Sequence, residues 1–185
     1  LSTGLDAINQ ASESIWNKRA SGFTIDLAIK ALKLGFSSLP LLIEKNENAK
    51  LRNNMSECSL LAGLAISQTR TAVCHSISYP LTAHFGVPHG LACAFTMVEV
   101  LKINLKKDDG RFVKVAKNLI GDKYSPFDLP VFFEDLCSRL KVAGRIRSYI
   151  PNIELMKNLT GEMYTKERIK NNLAPILSSQ MNSIL

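Results

Sequence analysis

Read as a string of apolar and polar positions, the chain is helical nearly throughout. In "TIDLAIKALKLGF", Ile25, Ile29, Leu32 and Phe36 recur at the 3.6-residue period and share one face. "SECSLLAGLAISQTR" has apolar residues on almost every side and is expected to be a central, buried helix. "GLACAFTMVEVLKINL", entered through the Pro88-His89-Gly90 break, reads the same way. "DLPVFFEDLCSRL" offers Asp128 as a cap and Pro130 in the first turn, with Phe132, Phe133, Leu136 and Leu140 on one face. "GRIRSYIPNIE" is the least helical stretch, and "TKERIKNNLAPILSSQMNSIL" closes the chain with one or two short helices. There is no β-α-β alternation, internal repeat, G-x-G-x-x-G or P-loop. The expected fold is all-α, a multi-helix bundle forming one domain over residues 1–185.

Composition changes that picture little. A length of 185 residues, 46% apolar and 21% charged, fits a single globular domain with a proper core. No stretch approaches the ~20 apolar residues of a membrane span, so no membrane partner is expected. The opening "LSTGLDAINQ" shows no signal-peptide pattern and no Met, which points to a piece of a longer cytoplasmic protein. Cys58, Cys74, Cys93 and Cys137 form no C-x-x-C pair and read as reduced, partly buried thiols. The net charge of +7 is compatible with an anionic partner. The basic residues are scattered and mixed with acidic ones, however, as in a solvated surface, and nucleic acid is not expected.

The candidate chemistry lies in "CHSISYPLTAHFGVPHG", residues 74–90, which holds all three histidines of the chain. His75 rides a helix expected to break at Pro80, and His89 stands just ahead of the next helix. Two imidazoles from different elements can then converge, and imidazole suits Zn, Fe, Co or Ni. Asp6 and Gln10, at i and i+4 of "GLDAINQASESIW", could supply adjacent donors. On spacing alone, two histidines near a turn are more often hydrogen-bonded structural residues. Asp6 has a plain reading too, as a favourable charge at a helix N-terminus. His84, between Ala83 and Phe85, falls off the pattern.

"GLDAINQASESIW" followed by "HSISYPLTAHFGVPHGLACA" closely resembles the iron-containing (group III) alcohol dehydrogenases. Their pattern runs G-x-D-A-x-x-H-A-x-E, then H-x-x-x-H-P-L with P-H-G nine residues further on. "RIKNNLAPILSSQMNSIL" is similar to the family's closing segment. The resemblance spans the chain nearly end to end, but only the helical C-terminal half of these dehydroquinate synthase-like two-domain enzymes. It implies a Rossmann-like nucleotide-binding domain outside these residues, so that residues 1–185 alone would not turn over substrate.

By the same resemblance Asp6, His75 and His89 are ligands of a divalent metal, Fe or Zn. Two positions depart from the family: Gln10 stands where it has a fourth histidine ligand, and Tyr79 where it has a histidine near the nicotinamide. Three ligands and an open position are usual for catalytic zinc, and the related glycerol dehydrogenases resemble such a design. Gln10 is then a weak fourth ligand or a substrate hydrogen-bond donor, and Tyr79 a proton or orientation group. The implied activity is reversible hydride transfer between a small alcohol or aldehyde and NAD(P), with the metal as Lewis acid, in a full-length homodimer. Gln10 and Tyr79 together look like the phosphonoacetaldehyde reductase branch, which forms 2-hydroxyethylphosphonate; a charge of +7 is compatible with that dianion. The competing expectation is a non-catalytic helical fragment or interaction module that has lost its metal site.

Overall fold

The computed structural model describes residues 1–45 and 47–185. Helices α1 (Ser2–Ile15), α2 (Gly22–Glu44) and α3 (Ala49–Thr69) pack on one another, and α1 is also covered by α5 (His89–Phe95). Between them comes α4 (Val73–Phe85), packed on α5. Then follow α6 (Met97–Leu105), α7 (Arg111–Leu119), α8 (Leu129–Arg139) and α9 (Val142–Tyr149). Four short helices close the chain: α10 (Ile153–Lys157), α11 (Thr160–Met163), α12 (Lys166–Ile169) and α13 (Met181–Ile184). Among the described residues there is no strand, only an isolated bridge between Asn17 and Asn172. No helix among them is long and apolar enough to cross a membrane. The expected all-α bundle is what forms.

α1 is the axis. Leu5, Ile8 and Ile15 are buried, yet so are Asn9, Ser12, Glu13 and Ser14, so the helix is enclosed on nearly every side. Buried polar groups need partners, and these serve as ties. Ser12 Oγ donates to the Ile8 carbonyl, Ser14 Oγ to the Gln10 carbonyl, and Asn9 Nδ2 to the Cys93 carbonyl on α5 at 3.2 Å. At the C-terminal end, where helix carbonyls lack partners, the Arg111 guanidinium donates to the carbonyls of Ile15 and Asn17 at 2.8 and 2.7 Å.

The remaining elements brace this axis. α2 starts at a capping box in which Ser21 Oγ accepts from Thr24 N and Thr24 Oγ1 accepts from Ser21 N. Its buried Ile25, Ile29, Leu32 and Phe36 follow the expected face. Phe36 stacks on Phe132 of α8 and meets Phe133 edge-on. Residues 171–174 return to the start of the fold. Leu173 N donates to the Trp16 carbonyl, Asn171 Nδ2 to the Thr71 carbonyl, and Asn104 and Asn172 exchange amide hydrogen bonds at 3.0 and 3.1 Å.

Several local expectations are corrected. α4 does not break at Pro80 but runs to Phe85 and stops at Gly86, which has φ +66. A helical proline forgoes one backbone hydrogen bond, and the buried face from Val73 to Leu81 outweighs that loss. α3 is not central. It buries only Cys58, Ala62, Ala65 and Thr69, leaving Leu60 and Leu64 62% and 48% exposed. An all-round apolar helix does not announce which side will be covered, and here the small residues form the packed stripe. "GRIRSY" is helical within α9, where Val142 and Ile146 supply the buried face. The run expected as one helix is divided at Thr96 into α5 and α6. Asp128 does not cap α8; its carboxylate accepts from Ser125 N and Oγ in the preceding 3-10 turn.

Candidate metal centre

The site gathers where the middle of α1 meets the N-terminal ends of α4 and α5. Its anchor is Glu13, fully buried on α1. The first turn of α4 has no side-chain cap of its own. Glu13 supplies one from a distance: its carboxylate oxygens accept from the backbone N–H groups of Ala72 and Cys74, both at 2.6 Å, and of His75 at 3.2 Å. A carboxylate at a helix N-terminus is favoured by both the unpaired N–H groups and the dipole. Glu13 Oε2 also meets His75 Nδ1 at 2.8 Å. That bond favours the Nδ1 proton on the Glu13 side, so that Nε2 faces the cluster and would offer its lone pair to a metal that displaces its proton.

α5 is set against α1 by Gly90. A methyl group there would overlap the Ser2 carbonyl oxygen and crowd Asp6 N, so only glycine permits this approach. Gly90 N donates to Ser2 Oγ at 3.0 Å, pinning the start of α5. Because His89 precedes Gly90, the same close contact delivers its ring to Asp6.

The result is a convergence of donor atoms. Asp6 Oδ1 lies 3.4 Å from His75 Nε2 and 3.8 Å from His89 Nε2. Cys93 Sγ is 3.6 Å from His89 Nε2, and one donor atom from each of Asp6, His75, His89 and Cys93 lies within 4.8 Å of all the others. Asp6 Oδ1 is buried and has no hydrogen-bond partner. An orphaned carboxylate oxygen between two imidazoles costs free energy unless a cation meets it.

Electrostatics in the cluster run toward charge separation. Burial alone would lower the His75 imidazole, but the charge of the Glu13 carboxylate and the nearby Asp6 carboxylate outweigh it and hold it above the usual histidine range. His89 is raised chiefly by its hydrogen bond with Cys93, against the effect of burial. Burial pushes the Cys93 thiol up, while hydrogen bonds from His75 and His89 more than offset this and leave it lowered.

The sequence-predicted residues Asp6, His75 and His89 are all brought together here. Gln10 sits beside them, with Nε2 donating to Asp6 Oδ2 at 3.0 Å, so its amide orients the carboxylate. Tyr79, 43% exposed, stands at the mouth with its ring 5.5 Å from that of His89. The Arg168 guanidinium of α12 lies 4.4 Å over the Tyr79 ring. His84 is elsewhere, pairing with Glu162 at the surface. Sequence reasoning missed the roles of Glu13 and Cys93. Both carried a spacing signal: Glu13 lies seven residues after Asp6 and Cys93 four after His89, each on its neighbour's helical face.

Known proteins resemble the chain over all or part of its length. Residues 1–185 match the family model described as Fe-containing alcohol dehydrogenase family, C-terminal. The 1-propanol dehydrogenase PduQ of Salmonella typhimurium is 38% identical over 117 residues, 62% of this chain and 32% of that protein. The sulfoacetaldehyde reductase of Bilophila wadsworthia is 28% identical over 178 residues, 92% of this chain and 46% of that protein. The crystal structure of sulfoacetaldehyde reductase from Bifidobacterium kashiwanohense in complex with NAD+ superposes with a TM-score of 0.85 at 29% identity, covering 99% of this chain and 48% of that one. The chain thus spans between about a third and a half of the length of these relatives.

Proposed function

Because this chain belongs to the iron-containing alcohol dehydrogenase family, we propose that it is the metal-bearing half of a cytoplasmic, NAD(P)-dependent enzyme that interconverts small aldehydes and alcohols. The observation that carries this reading is the orphaned Asp6 Oδ1 facing His75 Nε2 and His89 Nε2. Asp6, His75 and His89 would hold a divalent metal, Fe or Zn, which when bound would act as a Lewis acid on the substrate oxygen. Nicotinamide would be carried by a nucleotide-binding domain outside residues 1–185, and the complete enzyme would be a homodimer. Residues 1–185 alone would then be inactive.

The chain's own residues divide the remaining work. Glu13 fixes the tautomer and direction of His75, and Gln10 fixes the direction of the Asp6 carboxylate. Reduction adds hydride to the carbonyl carbon and a proton to its oxygen. Tyr79, beside His89 and open to solvent, would pass that proton through water. Arg168 over Tyr79 puts a fixed positive charge at the mouth. It would favour a short aldehyde with an acidic head, phosphonoacetaldehyde being the reading made from Gln10 and Tyr79. The sulfoacetaldehyde reductases among the similar proteins lend support to an acidic two-carbon substrate.

Two measurements test this. Metal content of the purified protein should be near stoichiometric and should vanish in the His75→Ala, His89→Ala double variant. No metal in either would favour a helical module that has lost its site. With the complete enzyme, NAD(P)H oxidation should have a higher kcat/KM for phosphonoacetaldehyde than for sulfoacetaldehyde or propanal. A preference for propanal would remove the acidic-head reading, and a preference for sulfoacetaldehyde would replace phosphonate with sulfonate.

A further inference from the structure

We propose that Cys93 Sγ is the fourth protein ligand of the metal held by Asp6, His75 and His89, forming an Asp-His-His-Cys tetrad that favours zinc over iron(II). The inference rests on the metal-binding reading above and deepens it.

Geometry is the main support. Zinc binds nitrogen and oxygen at about 2.0–2.1 Å and sulfur at about 2.3 Å, and tetrahedral angles then separate N from O by about 3.3 Å and N from S by about 3.5 Å. The observed separations are 3.4 Å for His75 Nε2 to Asp6 Oδ1 and 3.6 Å for His89 Nε2 to Cys93 Sγ. His89 Nε2 to Asp6 Oδ1, at 3.8 Å, is slightly open. Two edges of the tetrahedron are thus nearly at their metal-bound lengths, the third is longer, and all four donor atoms lie within 4.8 Å of one another.

The direction of the thiol is imposed by packing. Cys93 follows His89 by one helical turn, and its carbonyl is held by Asn9 of α1, which fixes the rotation of α5 about its axis. Gln10 does not compete for the position, since its amide nitrogen is turned to Asp6 Oδ2. Cys93 thus offers a fourth donor, and a softer one, where Gln10 does not, and the substrate oxygen would add to the four as a fifth ligand.

Cys93 Sγ stands 3.6 Å from His89 Nε2, within the cluster of donor atoms. Thiolate is the ligand form of cysteine, and a soft sulfur donor shifts preference toward zinc.

The test uses cobalt(II) as a visible stand-in for zinc. Metal-stripped protein, Cys93→Ser, Cys93→Ala and His75→Ala are titrated with cobalt(II), with circular dichroism recording that each is folded. The parent should develop a near-ultraviolet thiolate-to-cobalt charge-transfer band that saturates at one equivalent. Both Cys93 variants should lack the band and bind cobalt roughly tenfold or more weakly, and His75→Ala should lose tight binding. Tight, His75-dependent cobalt binding without the charge-transfer band in the parent would overturn the role of Cys93 and leave the metal reading intact. Absence of cobalt binding in the parent would overturn both. Zinc-edge X-ray absorption of the unmodified protein asks the same question with no substitution. One sulfur scatterer at about 2.3 Å supports the tetrad, and a shell of nitrogen and oxygen alone overturns it.

Discussion

At the scale of single residues, Glu13 and Gly90 do most to build the site, holding its donor atoms from behind. Glu13 satisfies three backbone donors of α4 and the Nδ1 of His75 at once. Replacing it with Ala leaves those buried donors unpaired, each costing about 1–3 kcal/mol. Glu13→Ala should therefore melt well below the parent in a thermal scan, and any folded fraction should bind metal about ten- to a hundredfold more weakly. Gly90→Ala pushes a methyl group into the Ser2 carbonyl, an overpacking cost of roughly 1–3 kcal/mol. Because the strain is relieved by moving α5 away from α1, metal affinity should fall together with stability, which urea unfolding followed with and without zinc would show. His75, His89 and Asp6 were legible because their motif states them outright. Cys93 was not, since a cysteine inside an apolar helix reads as packing until the rotation of that helix is known. Gln10 was legible as a departure, but whether it ligates or orients depended on which way its amide turns.

At the scale of elements, the misreadings share one cause. Period and breaker signals describe a segment in isolation, while burial is decided by neighbours. Pro80 is tolerated because every residue of α4 from Val73 to Leu81 except Tyr79 is buried, so the true stop is Gly86 in its left-handed conformation. Gly86→Ala should cost about 1 kcal/mol, seen as a fall of a few degrees in Tm, and metal affinity should fall with it because Gly86 leads directly into the turn that presents His89. A second element-scale prediction concerns the clamp on the end of α1. Arg111 holds the Ile15 and Asn17 carbonyls and is itself steered by Asp109, with a 2.6 Å ion pair. Hydrogen bonds from Arg111 hold the Asp109 carboxyl below its usual value. The sign follows: this contribution is present above the unfolded carboxylate range and is lost as pH falls through the lowered folded value. Asp109→Asn should accordingly lower Tm modestly at neutral pH and converge with the parent in acid, the effect being small because the carboxylate is largely solvated.

At the scale of the whole molecule, the all-α class was readable because apolar spacing near 3.6 recurs along nearly the entire chain. How the helices assemble around α1 was not, because that helix carries Asn9, Ser12, Glu13 and Ser14 on faces that a pattern of apolar residues would assign to solvent. Its burial follows from polar ties to distant segments, and no local rule states those pairings. The tie at residues 171–174 has a consequence in time as well as in space. A ribosome releases Asp6, His75, His89 and Cys93 well before it makes Asn171, Asn172 and Leu173, which fasten Trp16, Thr71 and Asn104. The nascent chain therefore carries every candidate metal donor while the end of α1 is still unfastened, and a segment synthesised later closes the latch.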